Sequence, residues 1–214
     1  MRYARGQTLE TGRPTPVQMM DLGRVCARMH RAMRPLPGET PADGLPDGRA
    51  LEENLTKLEA LAGQRARLQA LARAQRAMLA QSPPCPGPAG MAHRDFARDN
   101  VLFDAEGVRA VLDFDRARPG WPLLDVARAV MSFCFDGQRL ERPLVRAFLT
   151  GYRRVGKLSR RDLLRGLRLL CRVETLYWLT PDCLLKDQAP KVERFVREIE
   201  FLSLHYDELE RLIL

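Results

Sequence analysis

The feature that most constrains the fold is a polar segment, residues 93–115, which contains two short apolar runs. The first run is Val101 to Phe103, and the second extends from Val108 to Leu112. Residues 104–107, Asp-Ala-Glu-Gly, have the composition of a turn, so the two runs are predicted to pair as a β-hairpin. Because a hairpin places its two ends side by side, polar residues at those ends are expected to lie close together.

Three polar side chains occupy these positions. Asn100 precedes the first strand, Asp113 follows the second, and Asp95 lies on the loop that leads in. An amide oxygen and a carboxylate are hard ligands that suit Mg²⁺, which takes its other ligands from water and substrate phosphates. Asp95 needs no metal, because its predicted task is to orient and deprotonate an attacking hydroxyl. The order His-x-Asp-x-x-x-x-Asn, apolar strand and second Asp is the layout of a kinase-type phosphoryl-transfer site, which uses ATP and Mg²⁺.

Neighbouring polar residues have other interpretations. His93 is predicted to be structural, with a buried ring bonded to backbone near Asp113. Asp99 and Asp104 are predicted to be solvated turn residues rather than metal ligands. An alternative for Asp113 and Asp115 is the metal site of a hydrolase, but no suitably placed nucleophile accompanies them.

The stretch from about Ala92 to Val130 resembles the catalytic core of the aminoglycoside phosphotransferase and choline kinase family, protein-kinase-like enzymes that phosphorylate small molecules. Ala97 replaces the Lys that protein kinases usually carry there, and Asp-Phe-Asp at 113–115 replaces their Asp-Phe-Gly. The family usually has Gly where this chain has Arg94. The resemblance implies that Asp95 is the catalytic base and that Asn100 and Asp113 bind Mg²⁺ and nucleotide.

The resemblance also implies roles for residues after the hairpin. Asp125 corresponds to a buried carboxylate that anchors the catalytic loop, and residues 128–137 resemble the homoserine kinase-like members. In the family the acceptor sits against the following helices. The resulting candidates for the acceptor pocket are Asp136, Glu174, Tyr177, Trp178 and Asp182.

Acidic groups in such a pocket would suit an amine-bearing alcohol. The expected activity is ATP-dependent phosphorylation of a hydroxyl on an aminoglycoside, an amino alcohol or a homoserine-like acceptor. Other interpretations stay open at this point. The acidic candidates are equally consistent with ordinary surface carboxylates. Tyr177 and Trp178 also have the character of core residues. An alternative for the whole chain is an inactive kinase-like binding or scaffold module.

The predicted fold is mainly α with a small β-hairpin, as in the C-terminal catalytic lobe of a protein-kinase-like enzyme. Residues 1–14 resemble a hinge-like lead-in, and 15–214 form the lobe. The predicted helices are Thr15–Met33, Leu51–Leu61, Arg65–Leu79, Leu123–Phe135, Leu140–Val155, Ser159–Leu179 and Pro190–Leu212, with Pro-rich loops at 35–48 and 81–90.

A β-rich N-terminal lobe with a Gly-rich phosphate loop and a Lys is not recognisable, since the first Lys is Lys57, inside a predicted helix. We therefore expect that lobe to be supplied in cis or in trans, and the 214 residues alone to be a weak kinase.

Composition fits one intracellular domain. The chain has 214 residues, of which 45% are hydrophobic, and is long enough to bury a core. Its five cysteines are widely spaced, which predicts reduced thiols and a cytoplasmic location. No apolar run is long enough to predict a membrane span. The net charge of +8 comes mainly from Arg residues interleaved with Leu at helical spacing, so we expect solvated helix faces rather than a nucleic-acid partner.

Overall fold

The computed structural model describes residues 6–9, 13–33, 45–63, 65–185 and 189–213. The helices are α1 (Pro16–Ala32), α2 (Gly48–Ala62), α3 (Ala66–Leu79), α4 (Pro122–Cys134), α5 (Arg142–Arg153), α6 (Arg160–Trp178), α7 (Pro181–Leu185), α8 (Pro190–Leu204) and α9 (Leu209–Ile213). The strands are β1 (Gly90–Ala92), β2 (Val101–Phe103), β3 (Val108–Val111) and β4 (Arg118–Gly120). The predicted mainly helical fold is confirmed. Most of the predicted 1–14 lead-in and of the 35–48 loop lies outside the described residues.

The hairpin predicted between residues 101 and 112 is present. β2 and β3 pair antiparallel with Val101 opposite Val111, and a bulge interrupts the register between Leu102 and Phe103. A second pair, β1 with β4, was not predicted. Its strands have three residues each and β4 contains Pro119, so neither carries a recognisable strand pattern. The two strands lie at the two ends of the segment that contains the hairpin and residues 93–100. Residues 93–100 are called the catalytic loop below, after their predicted role.

Helix α1 supports the hairpin. The Asp21 carboxylate accepts a hydrogen bond from the N–H of Val108 at 2.8 Å, and Gln18 donates its side-chain amide to the carbonyl of Asp104 at 2.9 Å. A side chain at Gly107 would meet Asp21, because an added Cβ would lie 2.3 Å from its Oδ2. The hairpin turn is therefore fixed to a long helix.

Helix α1 is itself packed closely on α5. An added Cβ at Gly23 would lie 2.0 Å from the carbonyl oxygen of Phe148, and one at Gly151 would lie 1.7 Å from that of Met20. Only glycine fits at both positions, so the two helices approach backbone to backbone. The start of α1 is as predicted, because Thr15 caps it by accepting a hydrogen bond from the N–H of Gln18 at 3.2 Å.

Helices α4, α6 and α8 form the layer behind the catalytic loop. Every residue of α4 from Asp125 to Cys134 is buried. The single helix predicted over 190–212 is wrong, because α8 ends at Leu204 and α9 begins at Leu209. The break buries Tyr206 and Leu209, and the guanidinium of Arg168 lies over the Tyr206 ring. The short α7 was also not predicted.

The cysteines agree with the expectation of reduced thiols. All five cysteines are free thiols, and burial raises the pKa of the Cys171 thiol to about 12. Across the described part of the chain, no helix is both long enough and apolar enough to cross a membrane.

Candidate active site

The catalytic loop is anchored by Asp125, which is 1% exposed. Its Oδ2 accepts a hydrogen bond from the N–H of His93 at 2.6 Å, and its Oδ1 accepts one from the N–H of Arg94 at 2.8 Å. A ring nitrogen of His30, on α1, lies 3.1 Å from Oδ2. One carboxylate thus binds the loop directly before Asp95 and joins it to α1 and α4.

Arg94 adopts a left-handed backbone conformation, with φ of 69°. This conformation costs a non-glycine residue roughly 1–2 kcal/mol, which explains why a position of this geometry favours glycine. The hydrogen bond from the Arg94 N–H to Asp125 helps to hold the backbone there. Strain of this kind is typical of functional loops.

His93 is fully buried, and its Nε2 lies 2.9 Å from the carbonyl oxygen of Leu112. Its Nδ1 accepts a hydrogen bond from the N–H of Asp95 at 3.3 Å, so we assign the ring proton to Nε2. Phe96 and Phe114 pack edge-on against the ring, with centroids 5.8 and 4.7 Å away. The contact to backbone beside Asp113 is the one predicted from the sequence, and it connects the loop to the end of β3.

Asn100 and Asp113 are brought to the same end of the hairpin. The N–H of Leu112 donates to the carbonyl of Asn100 at 2.8 Å, which places Asp113 next to the start of β2. The amide nitrogen of Asn100 donates to the carbonyl of Asp95 at 2.9 Å, so Oδ1 is the side-chain atom of Asn100 that remains to bind a cation. Asp113 is exposed and has φ of 59°, a conformation that Asp tolerates better than most residues. An amide and a carboxylate oxygen with room around them fit Mg²⁺ bound to phosphates.

Asp99 is not the solvated turn residue that the sequence predicted. It binds two cations of α8, with Lys191 Nζ at 2.9 Å and two nitrogens of Arg194 at 3.1 Å each. Burial raises the pKa of Asp99, but these hydrogen bonds outweigh it and hold the pKa below its usual value. Asp104 is a turn residue as predicted, since it caps the N–H groups of Glu106 and Gly107.

A buried charge network lies behind the loop. Arg128, on α4, is bonded to Glu174 of α6 through Nε at 3.1 Å and to Glu198 of α8 through Nη1. Burial lowers the pKa of Arg128, while the charges of Glu198 and Asp95 act in the opposite direction. Burial raises the pKa of Glu198 above its usual value, despite three Arg side chains nearby. The charge of Asp95, the predicted base, also acts on Arg128, so the network lies near that carboxylate.

The model of the phosphotransferase enzyme family (APH) matches residues 1–158. The chain belongs to this family. It is 33% identical over 141 residues to a homoserine kinase of Pseudomonas aeruginosa (strain UCBPP-PA14), covering 65% of this chain and 44% of that protein. It is 30% identical over 220 residues to a homoserine kinase of Chelativorans sp. (strain BNC1), covering 92% and 65%. The chain thus spans less than half of the first relative's length.

Solved structures of phosphotransferases share the fold. An aminoglycoside phosphotransferase from Alicyclobacillus acidocaldarius has a TM-score of 0.64 at 17% identity, covering 99% of this chain and 70% of that one. A microcompartment-associated aminopropanol kinase has a TM-score of 0.58 at 18% identity, covering 92% and 64%. Amicoumacin kinase, solved with AMP-PNP and Ca²⁺, has a TM-score of 0.56 at 17% identity, covering 96% and 63%.

The five residues expected in the acceptor pocket of this family member occupy different environments. Asp136 lines a cavity of about 320 Å³ beside the loop. Glu174 belongs to the charge network, where it accepts a hydrogen bond from Trp178 Nε1 at 3.0 Å. Trp178 stacks on Phe195 with ring centroids 4.6 Å apart. Tyr177 is 65% exposed and so is not a core residue, and Asp182 lies on α7, outside the lining of the cavity.

Sequence reasoning missed three charged residues near the site. Arg98 and Glu198 both line the cavity of about 320 Å³, and Arg128 joins Glu198 to the network. A signal was available for Arg128, because it stands inside the otherwise apolar run of α4 and a charge there has to be buried and paired. The sequence contains no such signal for Glu198, since it is one of several charged residues along α8.

Proposed function

We propose that the protein transfers the γ-phosphoryl group of ATP to a hydroxyl of a small molecule. The observation that carries the proposal is the convergence of Asp95, Asn100 and Asp113 on one loop and hairpin, held by Asp125. Within the described ranges, no group of three or more His, Cys, Asp or Glu side chains is placed to hold a metal ion. The site therefore resembles one in which an amide and a carboxylate share a metal with phosphates, rather than a hydrolase centre built on Asp113 and Asp115.

Each residue has a defined task. Asp95 accepts the proton of the acceptor hydroxyl as its oxygen forms a bond to the γ-phosphorus, while the bond to the bridging oxygen breaks and ADP leaves. Asn100 Oδ1 and Asp113 hold Mg²⁺, which neutralises charge on the phosphates when it is bound. His93 keeps the loop in contact with the strand end at Leu112. Asp125 fixes the backbone before Asp95.

The acceptor belongs to the aminoglycoside, amino alcohol or homoserine-like class. Homoserine kinases at 30–33% identity and an aminopropanol kinase of the same fold support this range. ATP and a divalent cation are supported by the neighbour solved with AMP-PNP and Ca²⁺.

We also infer that a β-rich lobe, in cis or in trans, supplies the Lys and the loop that cover the phosphates. Both sheets within the described residues are two-stranded, and neither forms such a cover. The 214 residues alone are then a weak kinase, since each lost electrostatic contact to the phosphates typically costs on the order of 10²-fold or more in rate.

The test is the variant Asp95→Asn, assayed with ATP, Mg²⁺ and a panel of acceptors in the chain and in a version extended upstream. Loss of the base should reduce transfer by about 10²–10⁴-fold and leave nucleotide binding close to that of the parent. Asp115→Asn, which alters an exposed carboxylate nearby, is the matched control. Transfer by Asp95→Asn within a few-fold of the parent would refute the assignment, and absence of both transfer and nucleotide binding in the parent would favour the inactive scaffold module.

A further inference from the structure

A chain of buried hydrogen bonds leads from helix α5 to the catalytic loop. The hydroxyl of Tyr152, on α5, lies 3.0 Å from Nδ1 of His30, on α1. Nε2 of His30 lies 3.1 Å from Oδ2 of Asp125, on α4. Asp125 in turn accepts hydrogen bonds from the first two N–H groups of the loop. Three helices are thus connected to the backbone directly before Asp95.

The donors and acceptors along this chain follow from the chemistry of its groups. A carboxylate only accepts hydrogen bonds, so Nε2 of His30 carries a proton and donates to Asp125. In a neutral imidazole ring the other nitrogen is then an acceptor, and Nδ1 receives a hydrogen bond from the Tyr152 hydroxyl. Burial raises the pKa of Tyr152, so this hydroxyl keeps its proton. Tyr152 therefore holds His30 in the tautomer that donates to Asp125.

The position of Tyr152 is fixed by close packing. Gly151 brings α5 against the backbone of α1, since an added Cβ would lie 1.7 Å from the carbonyl oxygen of Met20. Gly156 leaves room for the tyrosine ring, because an added Cβ there would lie 3.1 Å from Tyr152 Cε1. The centroids of the Tyr152 and His30 rings are 6.0 Å apart. Two helices in direct backbone contact therefore present the hydroxyl to His30.

The catalytic loop depends on the orientation of Asp125. Arg94 has a left-handed backbone conformation, which is unfavourable for a residue with a Cβ, and its hydrogen bond to Asp125 opposes relaxation. Oδ2 of Asp125 is shared between the loop and His30, so loss of the His30 contact removes a restraint on this carboxylate. Asp95 is the next residue after Arg94. A shift of the backbone here displaces Asp95 from the hydroxyl that it is proposed to deprotonate.

We propose that Tyr152 positions the catalytic loop for phosphoryl transfer, acting through His30 and Asp125. The inference rests on the proposed function and extends it to a positioning residue on α5, outside the loop and the hairpin. A purely structural role requires only that an aromatic ring fill the contact between α1 and α5, which phenylalanine also does. The positioning role requires the hydroxyl.

The first experiment removes this hydroxyl alone, with Tyr152→Phe in the 214-residue chain. Nitrogen NMR of the imidazole rings should show the Nε2–H tautomer of His30 in the parent and a changed signal in the variant, with His205 as internal reference. Hydrogen exchange of the His93 and Arg94 N–H groups should become about 3-fold to 10-fold faster, as expected for one lost hydrogen bond. Unchanged His30 signals and loop exchange would overturn the proposal.

Kinetics of the upstream-extended protein test the connection to catalysis. Tyr152→Phe should lower kcat about 3-fold to 10-fold and leave KM for ATP and acceptor within about 2-fold, because the loop geometry matters most in the transition state. Tyr206→Phe is the matched control, since it removes the hydroxyl of another buried tyrosine, bonded to Arg172. An equal loss of kcat in both variants, or a loss confined to KM, would contradict the positioning role.

A double variant tests whether Tyr152 acts through His30. His30→Leu removes both ring nitrogens and should lower kcat more than Tyr152→Phe, because Asp125 loses its partner directly. Adding Tyr152→Phe to His30→Leu should then cause no further loss of kcat. Additive losses would overturn the proposed connection. If His30→Leu does not fold, the His30 nitrogen signals and the kcat of Tyr152→Phe decide.

The parent protein separates this inference from the function on which it rests. A parent that transfers no phosphoryl group to any acceptor would overturn the proposed function, while changed His30 signals and faster loop exchange in Tyr152→Phe would still support the connection to the loop. An active parent with an unchanged kcat in Tyr152→Phe would leave the proposed function standing and overturn the positioning role.

Discussion

On the side of the site that contains the predicted metal ligands Asn100 and Asp113, called the metal side, a side chain holds backbone. Asp125 accepts hydrogen bonds there from two N–H groups of the catalytic loop. In the half that faces the cavity, side chains hold one another, since Arg128 pairs with Glu174 and Glu198. The first arrangement uses residues close in sequence on one loop and hairpin. The second joins three helices and depends on every charge having its partner. The two halves should therefore respond differently to substitution.

Asp113→Ala should have the largest effect, and only on the metal side. Removing this carboxylate should abolish Mg²⁺-dependent nucleotide binding while acceptor binding stays unchanged, because Asn100 alone is a poor metal site. Calorimetric titration of a nucleotide into the protein, with and without Mg²⁺, measures the Mg²⁺-dependent binding. Asp115→Ala is the control, and an equal loss there would return support to a site built on both carboxylates.

Arg128→Met should break the cavity side. Removing one partner of a buried ion pair leaves an uncompensated charge and typically costs about 3–5 kcal/mol of stability. Arg76→Met is the control, because Arg76 also binds both oxygens of one glutamate, Glu59, but is exposed. Chemical denaturation compares the two. Equal losses would show that the network contributes no more than a surface pair, and adding Glu198→Gln to Arg128→Met should recover part of the loss.

Gly151→Ala should weaken the metal side indirectly, through the contact between α5 and α1. The added methyl would enter the backbone of α1, and overpacking of this kind typically costs about 1–3 kcal/mol. Because α1 carries Asp21, which binds the hairpin, nucleotide binding should weaken more than acceptor binding. Gly48→Ala, where an added Cβ meets nothing within 4 Å, should leave thermal unfolding nearly unchanged. A parent-like unfolding temperature for Gly151→Ala would contradict the close helix contact.

Asp99→Asn should have the smallest effect. It tests the contact between the two sides of the site, since Asp99 connects the loop to α8. The folded-state pKa of Asp99 is lowered, so its stabilisation is present above its unfolded pKa of about 3.9 and is lost as pH falls through the folded value. Denaturation should show a loss of no more than about 1 kcal/mol at pH 7, shrinking in acid. A stability difference between parent and Asp99→Asn that does not change with pH would rule out the ion pairs as its source. Glu53→Gln is the exposed control.

The geometry of the metal side was predictable because its residues lie within one loop and one hairpin. The spacing predicted that Asn100 and Asp113 share one end of the hairpin, and the hydrogen bond from the Leu112 N–H to the Asn100 carbonyl agrees with this. The helix predicted to begin at Ser159 is α6, which Ser159 caps together with Asp162. The hydrogen bond between His93 and the carbonyl of Leu112 was likewise expected from sequence.

The cavity side was not predictable, because the charged residues that pair there lie far apart in the chain. Asp99 and Arg194 are 95 residues apart, and a loop aspartate looks the same in sequence whether solvent or an arginine meets it. Arg98 and Glu198 stand on the loop and on α8, and only tertiary packing brings them to one cavity. Pairing of β1 with β4 also depends on packing rather than on strand propensity.

Helix α4 carries the loop anchor Asp125 near its start and the cavity residue Phe133 near its end. At about 1.5 Å per residue, these two positions are separated by about 12 Å along the axis. A one-residue insertion between them would turn the far end by about 100° and carry the cavity wall away from the loop. If the proposed transfer takes place at this site, substitutions at the C-terminal end of α4 would alter the acceptor, whereas changes in its length would misalign the loop and the cavity.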